Sequence, residues 1–425
     1  MQLYINPSQD KWDTISRRSL PDDSDISERV GSIISQVRED GDNALIRLAR
    51  EIDGVELSRL ELTEAEIEEA CSKVDGTLVQ AISSAVGNIK AFHEAQLPKT
   101  VEIETAPGVK CIQRPVPISR VGLYIPGGRA PLFSTVLMLG IPAVVAGCKD
   151  VILCTPPSKD GIKPEIIYAA TVCGIRRIFA AGGAQAVAAM AVGTRSIPRR
   201  DKIFGPGNRY VTKAKQLLSV SDVAIDMPAG PSEVMVMADS TANPAFVASD
   251  LLSQAEHGPD SQAILLCKSE SFAASVREEI DRQKQVLPRR EIVERSLENS
   301  CMIVFDDDSS MIGFANCYAP EHLIIAMEDP YAIAENVTSA GSVFLGNYSP
   351  ESAGDYASGT NHTLPTSGWA RSFSGVNIDS FMRKMTLQEI TREGLESLSG
   401  TITAMAEAEG LQAHANAVYI RVKNN

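Results

Sequence analysis

The sequence predicts an α/β fold: two α/β domains with parallel sheets, a small N-terminal arm and a helical C-terminal tail domain. Three observations carry this. Between residues 121 and 233, nearly continuous apolar runs alternate with helical stretches, as parallel strands covered on both faces require. The same texture returns after residue 234. The chain's 425 residues also exceed one unit of ~150 residues.

Residues 1–20 read as the polar arm. Beyond Asp25, Val30, Ile33, Ile34 and Val37 recur at helical spacing. Thr63 with Glu66 makes a capping box before another helix. Residues 77–95 give a third helix, and 100–120 read as short strands around Pro115 and Pro117. VGLYI (121–125) is a strand, Pro126-Gly127-Gly128 a tight loop, and 132–139 a helix. Strands at 150–154, 177–181, 201–204 and 223–226 alternate with helices at 164–173, 184–192 and 209–219. Pro228-Ala229-Gly230-Pro231 marks the crossover out of this unit. Next, Asn243 caps a helix with Pro244 in its first turn and Gly258 past its end. Strands follow at 262–267, 301–305, 322–326 and 341–346. Residues 348–372 form a long polar segment, which inside a compact protein is usually functional. The tail reads as helical from Thr386, with a capping box (Thr386, Glu389), a break at Gly410 and a last helix carrying His414.

Composition narrows the function classes. Hydrophobic residues at 44% and charged residues at 22% exclude a disordered or fibrous chain. Asp and Glu outnumber Lys and Arg, 54 to 40, giving a net charge of −14. A field of that sign repels phosphate backbones and anionic membranes, so neither nucleic acid nor a membrane is expected as partner. The N-terminus lacks the pattern of a secretory signal. The apolar stretch 130–148 is interrupted by Gly140, Pro142 and Gly147 and reads as a buried helix. Eight cysteines without CxxC spacing read as reduced structural thiols. Together these predict a soluble, cytoplasmic protein.

The five histidines are the scarcest informative residues. His93 falls apart from the rest and reads as structural. On the helix 244–257, Gln254 and His257 are three residues apart, which puts both side chains on one face. Asp355 and His362 lie in the polar segment, Glu321-His322 precede a strand, and Glu409 and His414 flank the Gly410 break. Zinc takes nitrogen and oxygen ligands of this kind. Without an HExxH or CxxC sequence, hydrogen-bonded structural roles remain equally open. The loops Pro126-Gly127-Gly128, Gly182-Gly183-Ala184-Gln185 and Gly205-Pro206-Gly207-Asn208 suit phosphate groups at helix N-termini. None completes GxGxxG, since position 210 is Tyr, so the units are Rossmann-like but incomplete. Tight turns with positive φ explain the glycines as well.

The segments YIPGGRAPLFSTVLM, AGGAQAVAAMA, DKIFGPGNRYVTKAK, DMPAGPSEVMV, SQAEHGPDSQ, YAPEHL, GDYASGTNHTLPT and HANAV resemble the histidinol dehydrogenases, in that family's order, from near residue 25 to near 420. The resemblance implies a homodimeric enzyme. Such an enzyme uses one Zn2+ per subunit and two NAD+ to oxidise L-histidinol, through L-histidinaldehyde, to L-histidine. It implies that Gln254, His257, Asp355 and His414 hold the zinc, and that Glu321 and His322 are catalytic. Substrate contacts fall on Ser232, His362 and Glu409, besides His322 and the zinc ligands. Cofactor contacts fall on Tyr124, Gln185 and Asn208. It further implies that residues 21–120 and 234–376 form the domain carrying the metal and catalytic residues. Residues 121–233 would form the NAD-binding domain. The arm (1–20) would make dimer contacts, and 377–425 would complete the partner's site.

That chemistry needs a base for the hydroxyl proton, a role suited to His322, and a group to polarise the water that hydrates the aldehyde, assigned to Glu321. A cysteine thiohemiacetal is the usual alternative, but none of the eight cysteines stands beside a histidine in the sequence. Two other functions remain open: a related zinc/NAD dehydrogenase acting on another small polar alcohol, and a zinc hydrolase in which Glu321 activates water.

Overall fold

The computed structural model describes residues 1–18, 24–127, 132–228 and 230–423. Gly128 of the first glycine loop and Ala229 of the crossover lie outside the described residues. In chain order the strands are β1 (Gln2–Ile5), β2 (Val101–Ala106), β3 (Val109–Pro117), β4 (Arg120–Tyr124), β5 (Asp150–Thr155), β6 (Arg177–Ala180) and β7 (Lys202–Phe204). These are followed by β8 (Ala224–Ile225), β9 (Glu233–Ala238), β10 (Gln262–Cys267), β11 (Cys301–Val304), β12 (His322–Ala326), β13 (Ser342–Leu345) and β14 (Met382–Ile390).

They build three sheets. A parallel five-stranded sheet has the order β6-β5-β4-β7-β8, and a parallel six-stranded sheet has the order β1-β11-β10-β9-β12-β13. The third, β14-β3-β2, is antiparallel. The two parallel sheets confirm the predicted α/β class. Strands β9 and β10 are buried along their whole length, as strands covered on both faces must be. The apolar stretch near 130–148 becomes the helix Phe133–Val145, buried over most of its length. No helix among the described residues is long and apolar enough to cross a membrane.

Four expectations need correction. The arm is not merely polar chain: β1 pairs in parallel with β11, and Trp12 packs edge-on against Phe305 and Phe314. The helices between residues 24 and 94 pack on the five-stranded sheet, and the helix Gly76–Glu94 also meets the 234–376 segment, its Asn88 donating to the Ala357 carbonyl at 2.8 Å. Val30, Ile33 and Val37 join Tyr124, Phe179 and Val187 in one core, while Ile82 and Ile89 join Val121 and Leu139 in another. Residues 348–372 are not wholly irregular, since Glu351–Tyr356 is a short helix. Finally, Thr386 and Glu389 do not cap a helix. They lie inside β14, paired with Gln113 and Lys110 of β3. A nine-residue ladder outweighs one local cap, and the helix Arg392–Ala408 starts later, capped by Thr391. By contrast, the Thr63–Glu66 capping box forms as predicted.

Strand β9 was not anticipated. It lies between β10 and β12, where the strand order of the six-stranded sheet reverses direction. The five-stranded sheet reverses between β4 and β7. Crevices outside the carboxyl ends of strands at such switch points, as at Gly205 after β7, are where open α/β sheets bind ligands.

Candidate active site

One cavity of about 150 Å3 gathers seven of the predicted residues: Ser232, Gln254, His257, Glu321, His322, Asp355 and His362. Its walls come from opposite edges of the two parallel sheets. Gly205 follows the carboxyl end of β7, and Asp226 and Met227 follow β8. Ser232 precedes the amino end of β9, and Glu321-His322 open β12. The helix Pro244–Ala255 returns antiparallel to β9 and delivers Gln254 and His257 from its C-terminal end. Its start is set as predicted, by Asn243 as cap and Pro244 in the first turn.

Glu233 organises the floor. Its N–H donates to Glu321 Oε2 at 2.8 Å, and its carbonyl lies 3.0 Å from His322 Nδ1. A carbonyl only accepts, so Nδ1 carries the proton and the Nε2 lone pair of the neutral ring is left for chemistry. That Nε2 is buried and has no hydrogen-bond partner among the described residues. Burial lowers the His322 pKa to about 3, which keeps the ring neutral. Glu321 is 6% exposed, and burial pushes its pKa well above the carboxylate range, although the Glu233 N–H opposes this.

The metal-type donors lie alongside. Ligand atoms of His257, Glu351 and Asp355 fall within 4.8 Å of one another. Glu351 was missed in the sequence. It stands four residues before Asp355 on the same short helix and is 2% exposed. With its amide turned to satisfy both neighbours, Gln254 donates to Glu351 and accepts from the Glu233 N–H at 2.8 Å. His257 stands exposed at the rim, yet crowding by protein still lowers its pKa, with Asp355 opposing. Asp355 is raised by burial to about 6, with His257 opposing. His362 donates from Nδ1 to the Asp355 carbonyl at 2.9 Å, while Thr135 Oγ1 lies 3.1 Å from its Nε2.

Glu409 and His414 are not brought to this cavity. Both are exposed on the tail, Glu409 as the C-cap of Arg392–Ala408 and His414 within Gln412–Lys423. Tyr124, Gln185 and Asn208 gather instead around loops of the five-stranded sheet. The Tyr124 hydroxyl accepts from the Gly183 N–H at 3.0 Å, and burial raises its pKa to about 12. Gln185 is 2% exposed and its Nε2 has no partner among the described residues. Asn208 Oδ1 caps the helix Arg209–Ser219. Gly205 has φ +130°, and a Cβ there would lie 1.9 Å from the Tyr124 carbonyl, so only glycine lets these loops close. His93 is buried, with Nδ1 on the Ile89 carbonyl at 2.7 Å, a structural role. None of the eight cysteines lines the cavity, and burial raises several thiols, Cys154 and Cys173 to about 12.

The histidinol dehydrogenase family model matches residues 16–422. The chain belongs to the histidinol dehydrogenase family. A histidinol dehydrogenase of Bacteroides thetaiotaomicron is 53% identical over 423 residues, covering 99% of each chain. One from Aliivibrio fischeri is 49% identical, covering 99% of this chain and 96% of the relative. The crystal structure of histidinol dehydrogenase from Elizabethkingia anophelis superposes with a TM-score of 0.97 at 50% identity, covering 100% of this chain and 98% of the other. The cavity thus lies in a histidinol dehydrogenase fold, formed by oxidoreductase relatives along nearly their whole length.

Proposed function

We propose that this chain oxidises L-histidinol through L-histidinaldehyde to L-histidine, the last step of histidine biosynthesis, reducing two NAD+ per substrate. The observation that carries the reading is one cavity holding Glu321 and His322 beside Gln254, His257 and Asp355. Family membership supplies the substrate.

The side chains fit both groups the reaction needs. An amide, an imidazole and a carboxylate suit zinc, and ligand atoms of His257 and Asp355 already lie within 4.8 Å of each other. We assign Gln254, His257 and Asp355 from one subunit and His414 of the partner subunit, in a cytoplasmic homodimer with shared sites. The unpartnered Gln185 Nε2, beside a glycine turn and the Tyr124 hydroxyl, fits a dinucleotide on the domain 121–233, with Asn208 as a further contact. When bound, zinc supplies Lewis acidity and a template, and NAD+ accepts a hydride in each of two oxidations.

This chain's residues do the rest. His322 takes the alcohol proton at Nε2, since Nδ1–H is fixed on Glu233. Glu321 polarises the water that adds to the aldehyde, giving the diol that His322 deprotonates in the second oxidation. A cation held beside Asp355 would offset part of the burial that raises the Glu321 pKa. Ser232 and His362 hold the substrate. Glu409 pairs with its ammonium group, reaching across the dimer as His414 does.

The test is stoichiometry. Purified protein with histidinol and excess NAD+ yields two NADH and one histidine per substrate. One NADH per substrate, or turnover without NAD+, overturns the proposal.

A further inference from the structure

The N-terminal segment reaches the floor of the site through one side chain. Arg18 places Nε 2.5 Å from Glu233 Oε1 and Nη2 2.8 Å from Oε2, a two-pronged pairing. The same Nη2 donates to the Tyr318 carbonyl at 2.9 Å, and the guanidinium stacks 3.9 Å from the centroid of the Tyr318 ring. The Ser367 N–H completes the cage, donating to Glu233 Oε1 at 2.9 Å. The Glu233 side chain is 2% exposed and that of Arg18 15%. A carboxylate this deep is tolerated only when paired.

Glu233 is thus held from both ends. Its side chain answers to Arg18, while its backbone N–H and carbonyl are the supports of Glu321 and His322. Residue 233 is the first of β9, so the ladder anchors it on one side only. On the other side, Pro231 and Ser232 lead in from the crossover, where the Gln262 N–H of β10 donates to the Ser232 carbonyl at 3.2 Å. The guanidinium adds a side-chain anchor at this end of the ladder.

We infer that Arg18 is a positioning residue for the Glu321–His322 pair, acting through Glu233. It touches neither substrate nor reacting atoms. It sets the direction of the two peptide groups that aim the acid and the base. The inference rests on the reading of Glu321 and His322 as the catalytic pair. It requires that loosening Arg18 lower turnover while leaving substrate binding nearly intact, because His257 and Asp355 stand on other segments and Gln254, which shares the Glu233 N–H, keeps its Glu351 partner.

The experiment compares Arg18→Lys, Arg18→Ala and the neighbouring control Arg17→Ala in the full-length protein. Steady-state kinetics with histidinol and NAD+ are read together with the imidazole signals of histidine-labelled protein by NMR. Arg18→Lys keeps the charge but loses the fork. We expect kcat to fall by about tenfold in Arg18→Lys and by about 10²-fold in Arg18→Ala, the scale of a misplaced catalytic group. KM should move by less than about twofold, the mark of an interaction made in the transition state. Added guanidinium should restore part of the loss in Arg18→Ala, and Arg17→Ala should behave as the parent. The hydrogen-bonded Nδ1–H signal of His322 should weaken in both Arg18 variants. If Arg18→Ala does not fold, Arg18→Lys decides. An unchanged kcat or an unmoved His322 signal in Arg18→Lys overturns the inference. If the parent protein fails to oxidise histidinol while the His322 signal still responds to Arg18, the proposed function falls and the positional link stands.

Discussion

Glu351 places Oε1 3.5 Å from Nδ1 of His322, so a buried carboxyl stands between the catalytic ring and the metal-type donors. Burial, together with the nearby Asp355 and Glu321 carboxylates, drives its pKa well above the usual range. Its role is then that of a neutral hydrogen-bonding group on Gln254. Glu351→Gln should keep one zinc per subunit, whereas Asp355→Asn should lower zinc affinity by more than the ~10–100-fold typical of a lost supporting contact. Metal analysis after dialysis against a chelator reads the difference; equal zinc loss in both variants would place Glu351 among the ligands.

His322→Asn should slow both oxidations by about 10²–10⁴-fold, the range for loss of a general base. Glu321→Gln should mainly slow the second oxidation, because only that step needs added water. Single-turnover measurements starting from histidinol and from histidinaldehyde separate the two. Unimpaired aldehyde oxidation in Glu321→Gln would remove Glu321 from the hydration step.

Glu409 and His414 stand exposed on the tail and away from their own subunit's cavity. The proposed sharing across a dimer has a direct consequence. His257→Asn and His414→Asn should each be inactive alone, yet mixed and allowed to exchange subunits they should form hybrids with one intact site. Random exchange restores about one quarter of the parent activity. No recovery, with hybrid formation verified by mass spectrometry, would count against shared sites.

Asp53 Oδ2 is buried without a partner among the described residues, and burial raises the pKa of Asp53 to about 6. In the unfolded chain a carboxyl titrates near 4. Between those values the folded state binds more protons, so stability falls as pH rises from about 4 to about 6 and stays reduced above. Asp53→Asn should remove this slope and raise stability at pH 8 by about 1–3 kcal/mol. Urea denaturation at pH 4.5 and pH 8 tests the sign.

Gly205→Ala should cost at least about 3 kcal/mol, since it combines a glycine-only φ with a contact on the Tyr124 backbone. Denaturant midpoints measure the loss. Binding of NADH, followed by its fluorescence, should weaken in the surviving folded protein.

Much of this architecture was legible in the chain. The alternation of apolar strand and helix from 121 to 226 placed each element of the five-stranded sheet within a few residues. The N-cap signals at Thr63 and Asn243 were equally reliable, because a cap is satisfied locally. What failed was non-local. Thr386 and Glu389 have the spacing of a cap, but their backbone is claimed by β3, more than 270 residues earlier in the chain. EVMVMA (233–238) is a plain apolar run that periodicity alone does not distinguish from a buried helix, so central β9 was overlooked. In the site, the histidines drew attention to their neighbours. Glu351 escaped because the segment around it looked irregular. Its four-residue spacing from Asp355, on one helix face, was the available clue.

The cavity's two walls come from different sheets, the catalytic pair from the amino edge of one and the glycine loops from the carboxyl edge of the other. The proposed turnover asks one intermediate to stay put while spent NADH departs and fresh NAD+ arrives. A single-sheet crevice would make both tenants share the same hinges. On the proposed assignment, the aldehyde's lodging and the dinucleotide's dock would rest on separate frameworks, so coenzyme replacement would proceed without evicting the half-oxidised guest.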